Sequence, residues 1–401
     1  MITIKDLSVR NAISIKFFKK RWLQNYKKFC VKKIGHALIY YKSDPFSFLY
    51  DSNNFSPTNN WEVKEMAKIF NKLGFWVDII DRDIGENYKP VDKYDIFISN
   101  ASGDSGKFYY KYASILKKAI KIFYATSMEK SVRKKLIEKR YDYFFQRHPE
   151  AKNKILYRRI SKIDNDKTFE VTDAIFVQGS EKCIDTYKKF NKDIYKTNAS
   201  TNPKIHLDIS QIAKRDPKKF LYFGGNGNIV KGLDLAVEVF SDLPDLHLYI
   251  CAPKTEVDFN IFFEKKIQAN KNIHFVGFIP TNGKVFDKLT SLCSFVLLLS
   301  STEGNATSIA TCIRKGLIPI ITPESGFEEL TSSIIINDIN LKSLKKTFTQ
   351  AASMSRDELL QRSLNSYIFS FNYTRAKFSE TFEKSIVKVL NKNKNRFNLL
   401  K

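Results

Sequence analysis

Glu303 and Gly304 follow an apolar run, SFVLLLS, and precede Asn305, Ala306 and Thr307, a short helical stretch, Gly316 and a second apolar run, LIPIIT. This pattern puts one carboxylate at the carboxyl end of a buried strand, beside a helix N-terminus, where open α/β sheets hold ligands. Backbone N–H groups at such a terminus favour anions such as pyrophosphate. A carboxylate beside an anion site suits a ligand with both phosphates and hydroxyls, and a sugar nucleotide has both. A second candidate is FGGNGNIVKG, which leaves a strand and enters a helix. Gly224, Gly225 and Gly227 let backbone amides approach a ligand, and Lys231 offers a cation. Its spacing is neither G-x-G-x-x-G nor a P-loop, so taken alone it reads equally as a tight turn. Both loops fall on the carboxyl edge of one sheet, within reach of a single ligand.

The elements that must position these residues form two successive α/β runs. The first contains the apolar runs IGHALIYY, FWVDII, YDIFIS, KIFYAT and DAIFVQ, interleaved with helical patterns over 61–73, 108–120 and 131–140. The second contains KFLYFG, LHLYICA, NIHFVGF and the Ser294–Ile321 unit. Alternating strands and helices predict parallel sheets covered on both faces. The pattern breaks around Ala199–Pro217, where a linker is expected. The fold class is α/β with two Rossmann-like domains facing each other across a cleft. The expected boundaries are 1–205, 206–370 and a helical tail over 371–401.

The 401 residues carry a formal net charge of +25, of which +17 falls in residues 1–200. Either this is a lysine-rich solvated surface or an anionic partner docks there. Lys117, Lys118, Lys121, Arg133, Lys134, Lys135, Lys139 and Arg140 are the candidates for such a face. The start, MITIKDLSVRNAISIKFFKKRW, is basic and amphipathic, fitting a surface helix or a membrane-contacting one. It lacks the apolar centre of a signal peptide. Five scattered cysteines without a CxxC fit a reducing cytosol and no zinc site. Asp81 and Asp83 have metal-motif spacing but read as a solvated strand-end turn, so no metal is expected. No base-reading helix, RNP-like motif or zinc module supports a nucleic-acid partner.

FGGNGNIVKGLDLAVEVF, NIHFVGFIP and SSTEGNATSIATCIRKGLIPIIT, in this order and at these distances, resemble the C-terminal domain of family 4 glycosyltransferases. NNWEVKEMAKIFNKLGFWVDIID more loosely resembles the acceptor domain of bacterial polysaccharide members. The resemblance implies a GT-B fold and transfer with retention of configuration, using a nucleotide-sugar donor and no metal or other cofactor. It casts Lys231 as the diphosphate cation and Glu303 as the carboxylate facing the transferred sugar. Gly224, Gly225, Asn226, Gly277, Gly304, Asn305, Ala306, Thr307 and Thr311 become donor-binding positions. Asn100, Ser102 and Gly103, in the strand-end loop NASGDSG, become acceptor-binding positions.

Two positions depart from the family pattern. Thr311 stands where a second glutamate normally holds the ribose, and Asn226 stands where an arginine normally helps hold the diphosphate. A neutral hydroxyl binds a ribose less strongly than a carboxylate does. The departures fit a subfamily with rearranged contacts, or a weakened chain acting as an interaction subunit of an assembly complex. Under the enzyme reading the acceptor is a saccharide, lipid-linked at an anionic inner membrane surface. The protein is then cytoplasmic or peripheral at that surface, building O-antigen, capsule or lipopolysaccharide.

Overall fold

The computed structural model describes residues 22–26, 33–46, 58–84, 88–100, 106–160 and 166–396. The first half contains β1 (Trp22–Tyr26), β2 (Gly35–Tyr41), α1 (Asn59–Lys72), β3 (Phe75–Asp81), β4 (Ile96–Ser99), α2 (Gly106–Ile115), β5 (Ile120–Ala125), α3 (Lys130–Arg147), β6 (Ala174–Gln178), α4 (Glu181–Asp185) and β7 (Asp193–Thr197). The second half continues with α5 (Ile209–Ile212), β8 (Asp216–Phe223), α6 (Leu233–Ser241), β9 (His247–Cys251), α7 (Val257–Ala269), β10 (Ile273–Phe275), α8 (Lys284–Leu292), β11 (Cys293–Leu298), α9 (Thr307–Ile313), β12 (Ile318–Ile321) and β13 (Ile334–Ile335). Three helices close the chain: α10 (Leu341–Ala352), α11 (Arg356–Phe369) and α12 (Arg375–Lys392).

The strands form two sheets, ordered β1-β3-β2-β4-β5-β6-β7 and β10-β9-β8-β11-β12-β13. All pairings are parallel except β1 with β3. Continuous burial along β4, β6, β11 and β12 is what parallel strands covered on both faces require. β7 has no counterpart in the sequence reading. It is a half-exposed edge strand, DIYKT, and lacks the apolar run that marks its neighbours.

α12 returns to the first sheet. Phe378, Phe382 and Ile386 are fully buried there with Phe70 and Phe176. Each such side chain contributes roughly 1.5–3 kcal/mol. α3 does the reverse. It lies between two strands of the first sheet, runs seven residues past the expected end at Arg140, and packs on the second. Its Ile137, Tyr141, Phe144 and Phe145 share a core with Leu235, Val239, Phe259 and Phe263 of α6 and α7. Arg140 bridges Asp234 at 2.5 Å, and Arg147 bridges Asp234 at 2.6 Å and Glu238 at 3.1 Å. Of the basic residues expected on an outer face, Lys117, Lys118, Lys134, Lys135 and Lys139 are exposed. Arg140 is buried in its ion pair and Arg133 turns toward Ser127, so neither belongs to such a face. Of the N-terminal helix expected over 1–22, residues 1–21 lie outside the described residues, and Trp22 instead begins strand β1.

Candidate functional site

Parallel pairing of β8 with β11 sets Tyr222 against Leu297, so the loops after both strands leave the same edge. The Ser301 N–H donates to the Val230 carbonyl at 2.8 Å and joins the two loops. Gly232 has φ +74°, and a Cβ there would lie 2.5 Å from Leu299 Cβ and 2.7 Å from its carbonyl oxygen. Only glycine permits that approach. The approach delivers Lys231, whose Nζ lies 2.6 Å from Glu303 Oε1. The Glu303 N–H donates to the Glu324 carbonyl at 2.8 Å, anchoring the carboxylate's backbone to the loop after β12.

Arg159 also reaches Glu303. Its Nη1 lies 2.9 Å from Oε1 and its Nη2 3.3 Å from Oε2. Burial would raise the Glu303 carboxyl, but the Arg159 and Lys231 charges outweigh it and hold the group well below the usual carboxylate range. Burial lowers the Lys231 ammonium, and the Glu303 charge partly opposes this. Burial and the charge of Arg159 lower the nearby Arg133. Glu303 is therefore an ionised acceptor, suited to sugar hydroxyls and unable to donate a proton. Lys231, Arg159 and Arg133 outnumber Glu303 and the more distant Glu256, a positive balance that suits an anionic ligand.

Lys231 and Glu303 open into a cavity of about 380 Å³ between the two sheets. The end of β8 supplies Phe223 to its wall, the loops after β8 and β11 supply Gly224, Gly225, Asn305 and Ala306, and α9 supplies Thr307 and Thr311. The first half supplies Tyr41, Asn59, Glu62, Thr126 and Gln178, and the connecting stretch supplies Asn202. Glu62 is buried and accepts from the Ser200 N–H and Oγ–H, both at 2.9 Å. Burial raises its carboxyl, and the Ser200 N–H partly offsets the rise.

Of the positions expected to bind the donor, Gly224, Gly225, Lys231, Glu303, Asn305, Ala306, Thr307 and Thr311 line this one cavity. The others take different places. Asn226 is exposed and accepts from Thr255 Oγ1 at 2.7 Å, outside the lining. Gly277 turns the chain at φ +88°, and the following Phe278 and Ile279 do the lining. Gly304 is pressed on the first half, where a Cβ would lie 2.5 Å from the Gln178 carbonyl oxygen and 2.7 Å from that of Thr126. Asn100 is buried, donates to the Tyr124 carbonyl and Thr126 Oγ1 at 3.1 Å each, and does not line the cavity. Ser102 and Gly103 lie outside the described residues. The Thr311 hydroxyl donates to the Thr307 carbonyl at 2.7 Å, so only its lone pairs remain for a ligand. Asp81 is buried rather than solvated and accepts from the Ser43 N–H at 3.0 Å and Oγ–H at 3.1 Å.

Sequence reasoning missed Arg159, Glu62 and Gln178, and put Arg133 on an outer basic face rather than near this site. Glu62 left a signal, since it falls among Trp61, Val63 and Met66 in an apolar helix pattern. Arg159 left none, because its segment has no periodic pattern and its φ of +64° is unmarked in a non-glycine residue.

Residues 205–335 match the family described as "Glycosyl transferases group 1". No curated protein matches the chain in sequence. Among solved structures, sucrose-phosphate synthase from Thermosynechococcus elongatus is similar with a TM-score of 0.63 at 12% identity, covering 89% of this chain and 99% of that one. Anabaena HepE, solved with UDP and glucose, is similar with a TM-score of 0.59 at 10% identity, covering 89% and 100%. WaaG, a glycosyltransferase involved in lipopolysaccharide biosynthesis, is similar with a TM-score of 0.50 at 12% identity, covering 87% and 98%. These likenesses are of fold. Together with the matched domain and the cavity at its strand ends, they make the chain a glycosyltransferase of GT-B fold, with a group 1 glycosyltransferase domain over residues 205–335.

Proposed function

We propose that the protein moves a sugar from a nucleotide-sugar donor to a saccharide acceptor, with retention of configuration and without a metal, as family 4 enzymes do. The observation that carries this reading is the Lys231–Glu303 pair, 2.6 Å apart at the mouth of two adjoining strand-end loops. Lys231 stabilises the charge that grows on the departing diphosphate. Glu303 accepts from hydroxyls of the transferred sugar, and the acceptor enters from the side of Tyr41, Asn59 and Glu62. Thr311 offers a lone pair to the ribose in place of a carboxylate.

The acceptor in this proposal is lipid-linked, and the product is a bacterial surface polysaccharide. Exposed Lys134, Lys135 and Lys139 on α3, with Lys117 and Lys118, support contact with an anionic membrane surface, at about 1 kcal/mol per residue. Among the described residues no helix is long and apolar enough to cross a membrane.

The test is a thermal-shift and saturation-transfer NMR panel of sugar nucleotides, with UDP and GDP as references, on the wild type and Glu303→Ala. One sugar nucleotide should stabilise the wild type beyond its bare diphosphate, and that increment should vanish in Glu303→Ala. A folded protein that binds no nucleotide sinks the reading.

A further inference from the structure

Arg159 is held over Glu303 by a hydrogen-bonded network of neighbouring residues. Arg158 grips Asp258 at the start of α7 through contacts of 2.8 and 2.5 Å, and the Leu156 N–H donates to the same carboxylate at 2.9 Å. Tyr141 Oη of α3 accepts from the Arg158 N–H at 2.9 Å and donates to the Leu156 carbonyl at 3.2 Å. The chain then turns through a left-handed conformation at Arg159, φ +64°, costly for a side chain of this size. Opposite, Gly227 leaves room that a side chain would fill, since a Cβ there would lie 2.7 Å from Arg159 Cδ. The result is a two-pronged guanidinium on both oxygens of one carboxylate.

The contact divides the work around Glu303. Oε1 is shared by Lys231 and Arg159, whereas Oε2 is bonded by Arg159. Lys231 lines the cavity and Arg159 does not; it approaches from the α3 side. An anionic ligand in the cavity competes with Glu303 for Lys231. A buried carboxylate that lost its only cation would be left uncompensated, which is strongly unfavourable. We propose that Arg159 is a positioning residue for sugar transfer: it holds both oxygens of Glu303 in place, so that Lys231 is free to turn to the donor's diphosphate. The inference rests on the glycosyltransferase reading of Glu303. It assigns the α3 segment, from the first half of the chain, a role in the second half's chemistry.

The test uses the full chain with Arg159→Gln, Arg159→Lys and Arg158→Gln. It measures turnover of the sugar nucleotide selected above, affinity for its bare nucleoside diphosphate, and Tm. Arg159→Gln should lose about 10–100-fold in kcat, as outer-shell partners of active groups commonly do. Its diphosphate affinity should stay within about threefold of wild type, and Arg159→Lys should recover part of the loss. Arg158→Gln, which weakens the same segment without touching Glu303, should lower Tm more than kcat. Unchanged kcat in Arg159→Gln overturns the proposal. So does a loss confined to diphosphate affinity, which would make Arg159 a ligand contact, or a loss tracking Tm alike in all three variants. If the wild type turns over no sugar nucleotide, the glycosyltransferase reading falls instead. A thermal double-mutant cycle of Arg159→Gln with Glu303→Gln then decides the pairing: non-additivity sustains it and additivity overturns it.

Discussion

Two buried ion clusters lie on successive parts of the second sheet, and their charge balance differs. On the outer face of α6, Arg140, Arg147 and His148 meet Asp234 and Glu238. Cations and carboxylates there nearly cancel, and Asp234 is fully buried. At the strand ends, Lys231 and Arg159 bond Glu303, with Arg133 nearby, so three cations face two buried carboxylates, Glu303 and the more distant Glu256. A balanced cluster fastens one helix to another. An unbalanced one is complete only with an added anion. The first cluster docks the α3 segment, and the segment delivers Arg159 to the second.

The sharpest way to break the comparison is to neutralise one carboxylate from each cluster. Glu303→Gln should cut sugar transfer by roughly 10³-fold, about 4 kcal/mol of transition-state stabilisation. Its affinity for the bare diphosphate should hold or rise, because Lys231 and Arg159 are released. Initial rates and calorimetric titration measure both, and a variant with wild-type kcat removes Glu303 from the chemistry. Asp234→Ala should act through the fold. It strands the Arg140 guanidinium, leaves Arg147 with Glu238 alone, and costs about 3–5 kcal/mol of stability. Urea unfolding reads this directly, and an unchanged midpoint would mean that the cluster fastens nothing.

The contrast also explains what the sequence made legible. Glu303 and Lys231 were readable because each stands in a glycine-containing loop immediately after an apolar run, where parallel topology leaves little choice of location. The two sheets were readable for the same reason. Arg140 reads as part of a basic helix, Arg147 lies beyond that helix's expected end, and only the partner helix decides that Arg140 is buried. A hint was present in LDLAVEVF, where Asp234 and Glu238 interrupt an apolar helix four residues apart, on one face. Arg159 was out of reach because its position depends on how α3 leaves the first sheet. A polar residue at a strand end can face a ligand or tie down its neighbours, and the sequence does not say that Asn100 bonds the Tyr124 carbonyl and Thr126.

A milder change tests whether the two halves must touch. Gly304→Ala adds one methyl group against the backbone carbonyls of Thr126 and Gln178, an overpacking that should cost about 1–3 kcal/mol. Turnover should fall several-fold while affinity for the bare diphosphate holds, since Gly224, Gly225 and Lys231 all belong to the second sheet. Equal loss of both would place the effect in the donor loop itself.

The smallest effect expected is a pH dependence of the balanced cluster. The hydrogen bond that His148 Nε2–H donates to Glu238 Oε1, 3.0 Å long, raises the imidazole above its ordinary value of about 6.5 against an opposing effect of burial. A group raised on folding stabilises fully below its unfolded value, and the contribution fades as pH rises through the folded value. Glu238 has the opposite sign, because its cationic partners outweigh burial and lower it, so its contribution fades as pH falls. As pH rises past the unfolded value of about 6.5 and through the raised folded one, the wild type should therefore lose a small stabilisation that His148→Gln does not. Thermal unfolding of the two proteins across this range should give curves that converge at the alkaline end. Parallel curves would show that His148 is held by its contacts with Phe144, Phe262 and Phe263 alone. The cluster's balance would then rest on the two arginines, and the charge contrast with the Glu303 site would become sharper.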